Sequence, residues 1–159
     1  MKILVPLCFA LLFIPNAQAG KLDINFENVE KYTDIDSGRD MQKRYTERVL
    51  RNMTTFFEEV AADLPEGDTL SINVTNIDLA GDTRMGSGAM WDVRIMTDLH
   101  SPWMTFEASV TDADGKIKYK ATEKIRDFNY LSRSGLDKPF EHEQFMIQRW
   151  GKDLLSSLN

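Results

Sequence analysis

Cysteine is nearly absent: the only one in the 159 residues is Cys8, inside the apolar run at the start of the chain. With that run set aside there is no disulfide, thiolate nucleophile or thiolate metal site, so stability has to come from a packed core. Histidine is scarce too. His100 and His142 are far apart, and no His-x-x-x-His pair suggests zinc. No long hydrophobic run follows residues 3–15, and that one is shorter than the about 20 residues a membrane-spanning helix needs. Positive charge is in the minority, with 19 basic residues against 25 acidic ones. A net charge of this sign opposes general binding to nucleic acid or to anionic lipid. Repeats, low-complexity stretches and Pro/Gly/Ser linkers are also missing.

What is present begins with a leader. Lys2, the apolar run "ILVPLCFALLFIP" and the small-residue end "NAQA" have the three-part plan of a secretory signal. Ala17 and Ala19 satisfy the A-x-A pattern, which predicts cleavage between Ala19 and Gly20 and an exported product, periplasmic or secreted. Only seven residues precede Cys8, which argues against a lipid-modified cysteine at the cleavage site. Residues 20–159 have a common size for one domain, and one domain is predicted.

"KLDINFENV" alternates with Leu22, Ile24 and Phe26 on one face and reads as a strand. From Gly38 to Leu64, Met41, Tyr45, Val49, Met53, Phe56, Val60 and Leu64 recur at helical spacing, with Asp36 or Ser37 as the cap and "LPEG" as the stop. In the strand "DTLSINVTNIDLA" the apolar parity changes between Val74 and Ile77, through a bulge near Thr75 and Asn76 or because both faces are covered. "MWDVRIM" alternates again, and so does the run through Met104, Phe106, Ala108 and Val110. "TDADGK" is a hairpin signal; the return strand turns Ile117, Tyr119 and Ala121 inward and a row of lysines, Lys116, Lys118 and Lys120, outward as on a solvated edge. The last segment, capped by Asp137 with Pro139 in its first turn, carries Phe140, Ile147, Trp150, Leu154 and Leu158 on one stripe, with Glu141 and Glu143 where the helix dipole favours acids. The predicted fold is α+β: a two-layer sandwich of order β-α-β-β-β-β-α. In it a mainly antiparallel sheet of about five strands packs on a long N-terminal helix and a C-terminal helix.

"IDLAGDTRMGSG", residues 77–88, raises the question of a phosphate cradle. Gly81 and Gly86 have P-loop spacing, but Ser87 stands where the motif needs lysine, Asp82 would repel phosphate, and a strand rather than a helix follows. A turn between strands is the better reading, with Asp78, Asp82 and Arg84 at a strand end as candidate binding residues. Trp103, beside Pro102 in a bend, is predicted to be partly exposed and joins them. No cofactor, metal or catalytic group is assigned. A hydrolase using Asp78, Asp82 and Asp98 is the alternative of a different class. Soft ligands around His100, namely Met85, Met90, Met96 and Met104, allow a copper-handling protein as a third. Asp112, Asp114 and Gly115 begin like a calcium loop but lack the remaining ligands and read as a turn.

With "EKYTDI" at 30–35, "LPEGDTLSINVTNIDLAGDTR" at 64–84, "DVRI" at 92–95, "DADGK" at 112–116, "RDFNYL" at 126–131 and "FEHEQFMIQRW" at 140–150, the chain resembles the bacterial exported family known as domain of unknown function 3016. The resemblance implies a signal peptide and a small α+β domain, and brings no activity, cofactor or catalytic residue. Gln144 and Phe145, where the family tends to have basic residues, and Trp103, where it tends to have arginine, depart from the pattern. The functional expectation is a non-catalytic envelope module binding an unidentified partner or small ligand beneath the loop at 80–90.

Overall fold

The computed structural model describes residues 20–37, 41–83, 94–133 and 138–158. Within them the order is β1 (Lys21–Phe26), α1 (Gln42–Ala62), β2 (Thr69–Asp78), β3 (Trp103–Thr111), β4 (Ile117–Arg126) and α2 (Glu141–Leu158), with short 3-10 turns at Val29–Lys31 and Tyr130–Ser132. The class is α+β, as expected, but two details differ. The described residues form one sheet of four strands in the order β1-β2-β3-β4, and that sheet is mixed, because β1 pairs with β2 in parallel while the other pairs are antiparallel. The long helix follows the first strand and is not N-terminal. The physical reason for the parallel pair is that helix. A strand, a crossover helix and a second strand bring the two strands back in the same direction. The expected strand "MWDVRIM" lies largely outside the described residues; of its end, Ile95 makes an isolated antiparallel bridge to Asp82.

Both helices cover one face of the sheet. Val49, Met53, Phe57 and Val60 of α1 and Met146, Ile147, Trp150 and Leu154 of α2 join Leu70, Ile72, Val74, Met104, Phe106, Ala108 and Val110 of the strands in one apolar core. At its centre Phe57, Phe106 and Trp150 meet edge to face, with centroids 4.9–5.9 Å apart, and full burial of each such side chain stabilises by roughly 1.5–3 kcal/mol. The helices touch closely at Gly151, where a Cβ would meet Val60 Cγ2 at 2.6 Å. Met41, placed on the stripe from its spacing, is instead 60% exposed because it precedes the helix as its N-cap. The neighbouring Ser37 hands both its N–H and its hydroxyl to Gln42 Oε1, at 3.1 and 3.0 Å.

The change of parity in β2 is a bulge: the register with β3 shifts between Val74 and Asn76, so that Val74 and Ile77 are both buried. A second shift lies between Val110 and Thr111 beside the hairpin. It leaves Ile117, expected inside, 57% exposed. Asp112 Oδ1 accepts the N–H groups of Asp114 and Lys116 at 3.0 and 2.9 Å, a turn and not a calcium loop. β4 forms one margin of the sheet, in keeping with its lysines, and Lys118 extends to the buried Asp68 at 2.7 Å. Asp137 is outside the described residues; α2 begins at Glu141 after Phe140, whose φ is 65°. No helix among the described residues is long and apolar enough to cross a membrane.

Candidate functional site

The chain leaving β2, Asp78-Leu79-Ala80-Gly81-Asp82, runs into the interior. A buried backbone N–H must find an acceptor, and here four successive amides find four different ones. Leu79 N–H goes to Asp34 O at 3.1 Å, Ala80 N–H to Glu143 Oε1 at 2.7 Å, Gly81 N–H to His100 O at 2.9 Å and Asp82 N–H to Ile95 O at 3.0 Å. A phosphate cradle needs such amides pointing at the ligand. These four are consumed by the protein and offer nothing to a phosphate; residues 84–88 of the stretch lie outside the described residues. Gly81 is required where it stands: its φ is 76°, and a Cβ would meet Ile95 O at 2.6 Å.

Around this segment the structure collects charge. Arg94 donates to both carboxylate oxygens of Asp34, at 2.7 and 3.3 Å, to Gly81 O at 2.9 Å and to Asp36 O at 2.9 Å. Its side chain is 14% exposed and that of Asp34 3%. The planar guanidinium suits this forked arrangement, which ties the segment after β1 to the segment after β2. Asp78 Oδ2 accepts the indole N–H of Trp103 at 2.5 Å. Burial raises its carboxyl above the ordinary aspartate range, a shift that this hydrogen bond opposes and the charge of Asp34 reinforces. Glu143, from the first turn of α2, is completely buried. Burial pushes its carboxyl up, and the bond from Ala80 N–H works against that rise.

His100 and Asp82 approach to 3.7 Å between Nδ1 and Oδ2. His142 lies edge-on to Tyr130, with centroids 4.9 Å apart, and its buried Nδ1 has no hydrogen-bond partner among the described residues. Burial, followed by the charge of Arg133, lowers its pKa below the usual histidine value.

Beside the cluster opens a cleft of about 230 Å³. Tyr45 and Arg48 of α1 form one wall, Arg94 and Met96 another, and Lys138, Phe140 and His142 the third. Arg48 stands 5.0 Å above the Tyr45 ring, and Phe140 meets Tyr45 edge to face. Arg48 and Lys138, two aromatic rings and the already paired Arg94 therefore line one opening together with Leu79, Ala80 and the buried Glu143.

The candidate residues fare differently. Asp78 and Asp82 are brought to the same strand end, and Asp78 is joined there by Trp103, which is partly exposed; Lys124 Nζ stands 5.0 Å over the Trp103 ring. Arg84 lies outside the described residues. Asp98, the third acid of the hydrolase reading, is exposed in the turn after Thr97. Of the copper candidates Met85 and Met90 are outside the described residues, and Met104 is wholly buried in the core. Met96 lies against Gly81, and among the described residues no group of three or more histidine or carboxylate side chains is placed to hold a metal ion. Sequence reasoning missed Asp34, Arg94, Tyr45 and Glu143 as members of one site. Asp34 and Arg94 are 60 residues apart, and no local spacing could have announced the pair.

The match to known proteins is at the level of family. Residues 20–153 fit the family described as Protein of unknown function (DUF3016), and the chain belongs to it. No curated protein and no solved structure matches the chain.

Proposed function

Starting from membership of a family that brings no activity with it, we propose that the protein is an exported, non-catalytic binding module of the cell envelope. Its leader is removed between Ala19 and Gly20, and the cleft beside the strand-end cluster takes up a small anionic ligand. The leader pattern at residues 1–19 supports export. The observation that carries the binding reading is the contrast inside the site: Asp34, Asp78 and Glu143 are tied to Arg94, Trp103 and the Ala80 amide, whereas Arg48 and Lys138 border the open cleft. Acid-base catalysis needs a carboxylate with room to exchange a proton with substrate. Anion binding needs positive charge in a concave, partly apolar space, and that is what this cleft offers.

The test is thermal unfolding of the purified protein against inorganic phosphate and a panel of small mono- and dicarboxylates, repeated with Arg48→Met/Lys138→Met. The expected result is a rise in Tm with at least one anion that the double variant loses. If no anion shifts the wild type, the ligand reading fails. Turnover of an ester or glycoside substrate that Asp82→Asn abolishes, with the fold intact, would replace it by the hydrolase.

A further inference from the structure

Residues 127–133, which follow β4, set buried and exposed side chains side by side. Asp127 and Tyr130 are almost wholly buried, while Phe128 and Leu131 are 71% and 48% exposed. Inward residues three apart anchor the segment, and outward residues three apart project from it. The anchors are specific. Asp127 receives Arg133, lies 3.9 Å from Arg149 Nη1 and accepts the Asn129 N–H at 3.3 Å, and its own N–H is bound to Pro102 O. Tyr130 donates its hydroxyl to Thr97 O at 2.6 Å and packs on His142. The apolar tips are thus held up by a rigid base.

That base is cationic. Arg126 Cζ lies 4.5 Å over the Phe128 ring, and Arg133 Cζ lies 3.9 Å over the ring of Phe145, which is 39% exposed on α2. Arg149 donates to Arg126 O at 2.8 Å and so stands beside them. Three arginines are gathered here on a protein whose net charge is −6, two of them, Arg133 and Arg149, against the buried carboxylate of Asp127 and the third, Arg126, donating to Ser101 Oγ at 2.8 Å.

We propose that this finger is a contact for the surface of an anionic phospholipid bilayer, with Phe128 and Leu131 entering the interface and Arg126, Arg133 and Arg149 lying at the level of the phosphates. Aromatic and aliphatic tips partition into the boundary between head groups and acyl chains, and guanidinium groups bind phosphate oxygens through paired hydrogen bonds. Projection of the apolar residues fits a deformable interface, whereas a groove-bound ligand would need them to line a cleft. The overall negative charge limits binding to this one face, which gives the bound protein a fixed orientation.

Co-sedimentation with phosphatidylcholine vesicles, with and without phosphatidylglycerol, tests this on the full chain and on Phe128→Ser/Leu131→Ser. Both chains carry the apolar run at residues 3–15, so the difference between them isolates the finger. The expected result is binding that requires phosphatidylglycerol, weakens with added salt and falls by about tenfold in the double variant, with unchanged circular dichroism. Arg126→Gln/Arg149→Gln should lose the dependence on phosphatidylglycerol. Equal binding by wild type and the serine variant would overturn the proposal. So would retention of the wild type on a glutamate-rich peptide resin without any vesicle binding, which would assign the patch to an acidic protein partner.

Discussion

The helix-covered face of the sheet and the strand-end cluster are both buried, yet they are held by different rules. On the face, Phe57, Phe106 and Trp150 fill space, and any side chain of similar volume without a polar atom would serve nearly as well. In the cluster, Asp34 is stabilised by a bidentate arginine and Glu143 by one amide, so that chemical identity rather than size decides. A change that respects volume but not charge should hurt the cluster more, and a change that respects polarity but not volume should hurt the face more.

The largest expected effect tests the first half of that statement. Asp34→Asn keeps the shape and leaves Arg94 buried without its counter-charge, and should cost about 3 kcal/mol in urea unfolding. Phe57→Leu alters the volume of a fully buried ring and should cost about 1.5 kcal/mol; if it proves the more damaging of the two, the contrast is wrong. Trp103→Phe removes the one indole bond to the half-buried Asp78 while keeping an aromatic ring, and should cost about 1 kcal/mol.

The smallest effect is one of slope. Because burial raises the Glu143 pKa above its ordinary 4.5, the native state holds a proton that the unfolded chain has released. Stability from this group therefore falls as pH rises from 4.5 toward the folded value. Glu143→Gln keeps an acceptor for Ala80 N–H and cannot titrate, so it should gain on the wild type as pH rises through that window. His142, whose lowered pKa has the opposite effect below its usual 6.5, is common to both proteins and cancels. Parallel curves of urea midpoint against pH would show that Glu143 does not titrate in this window.

Much of the fold was legible because it is local. The stripe through Val49, Met53, Phe56 and Val60, the Asp114-Gly115 reversal and the parity change at Thr75 are all written within a few residues of the structure they make. The parallel pairing of β1 with β2 was legible in principle, since a helix of 21 residues between two strands is itself a crossover signal. The site was legible by halves. Asp78 and Asp82 declare themselves at a strand end, but the partners that give them meaning come from the segment after β1, from the chain around Arg94 and from α2. Glu143 reads from the sequence as an acid placed in the first turn, where the helix dipole favours it. Only the tertiary packing of α2 onto Ala80 turns it into a buried acceptor.

The crossover also predicts an order of events. β3 and β4 are closed by residues 112–116, a short reversal that chain diffusion finds quickly, whereas β1 meets β2 only after residues 27–68 have been gathered up, half of them as α1. Contacts that span so much chain form late because closing the loop has to precede any reward from the ladder. The hairpin and its helical cover can therefore form first and leave β2 as an open margin, to be closed by the last strand to arrive. That strand begins next to Gly20, which is wedged so tightly under the end of α1 that a Cβ would meet Ala61 O at 2.6 Å. The seam that closes the sheet thus lies directly against the Ala19–Gly20 junction proposed for cleavage, so a cut there would fall beside the last part of the fold to be completed.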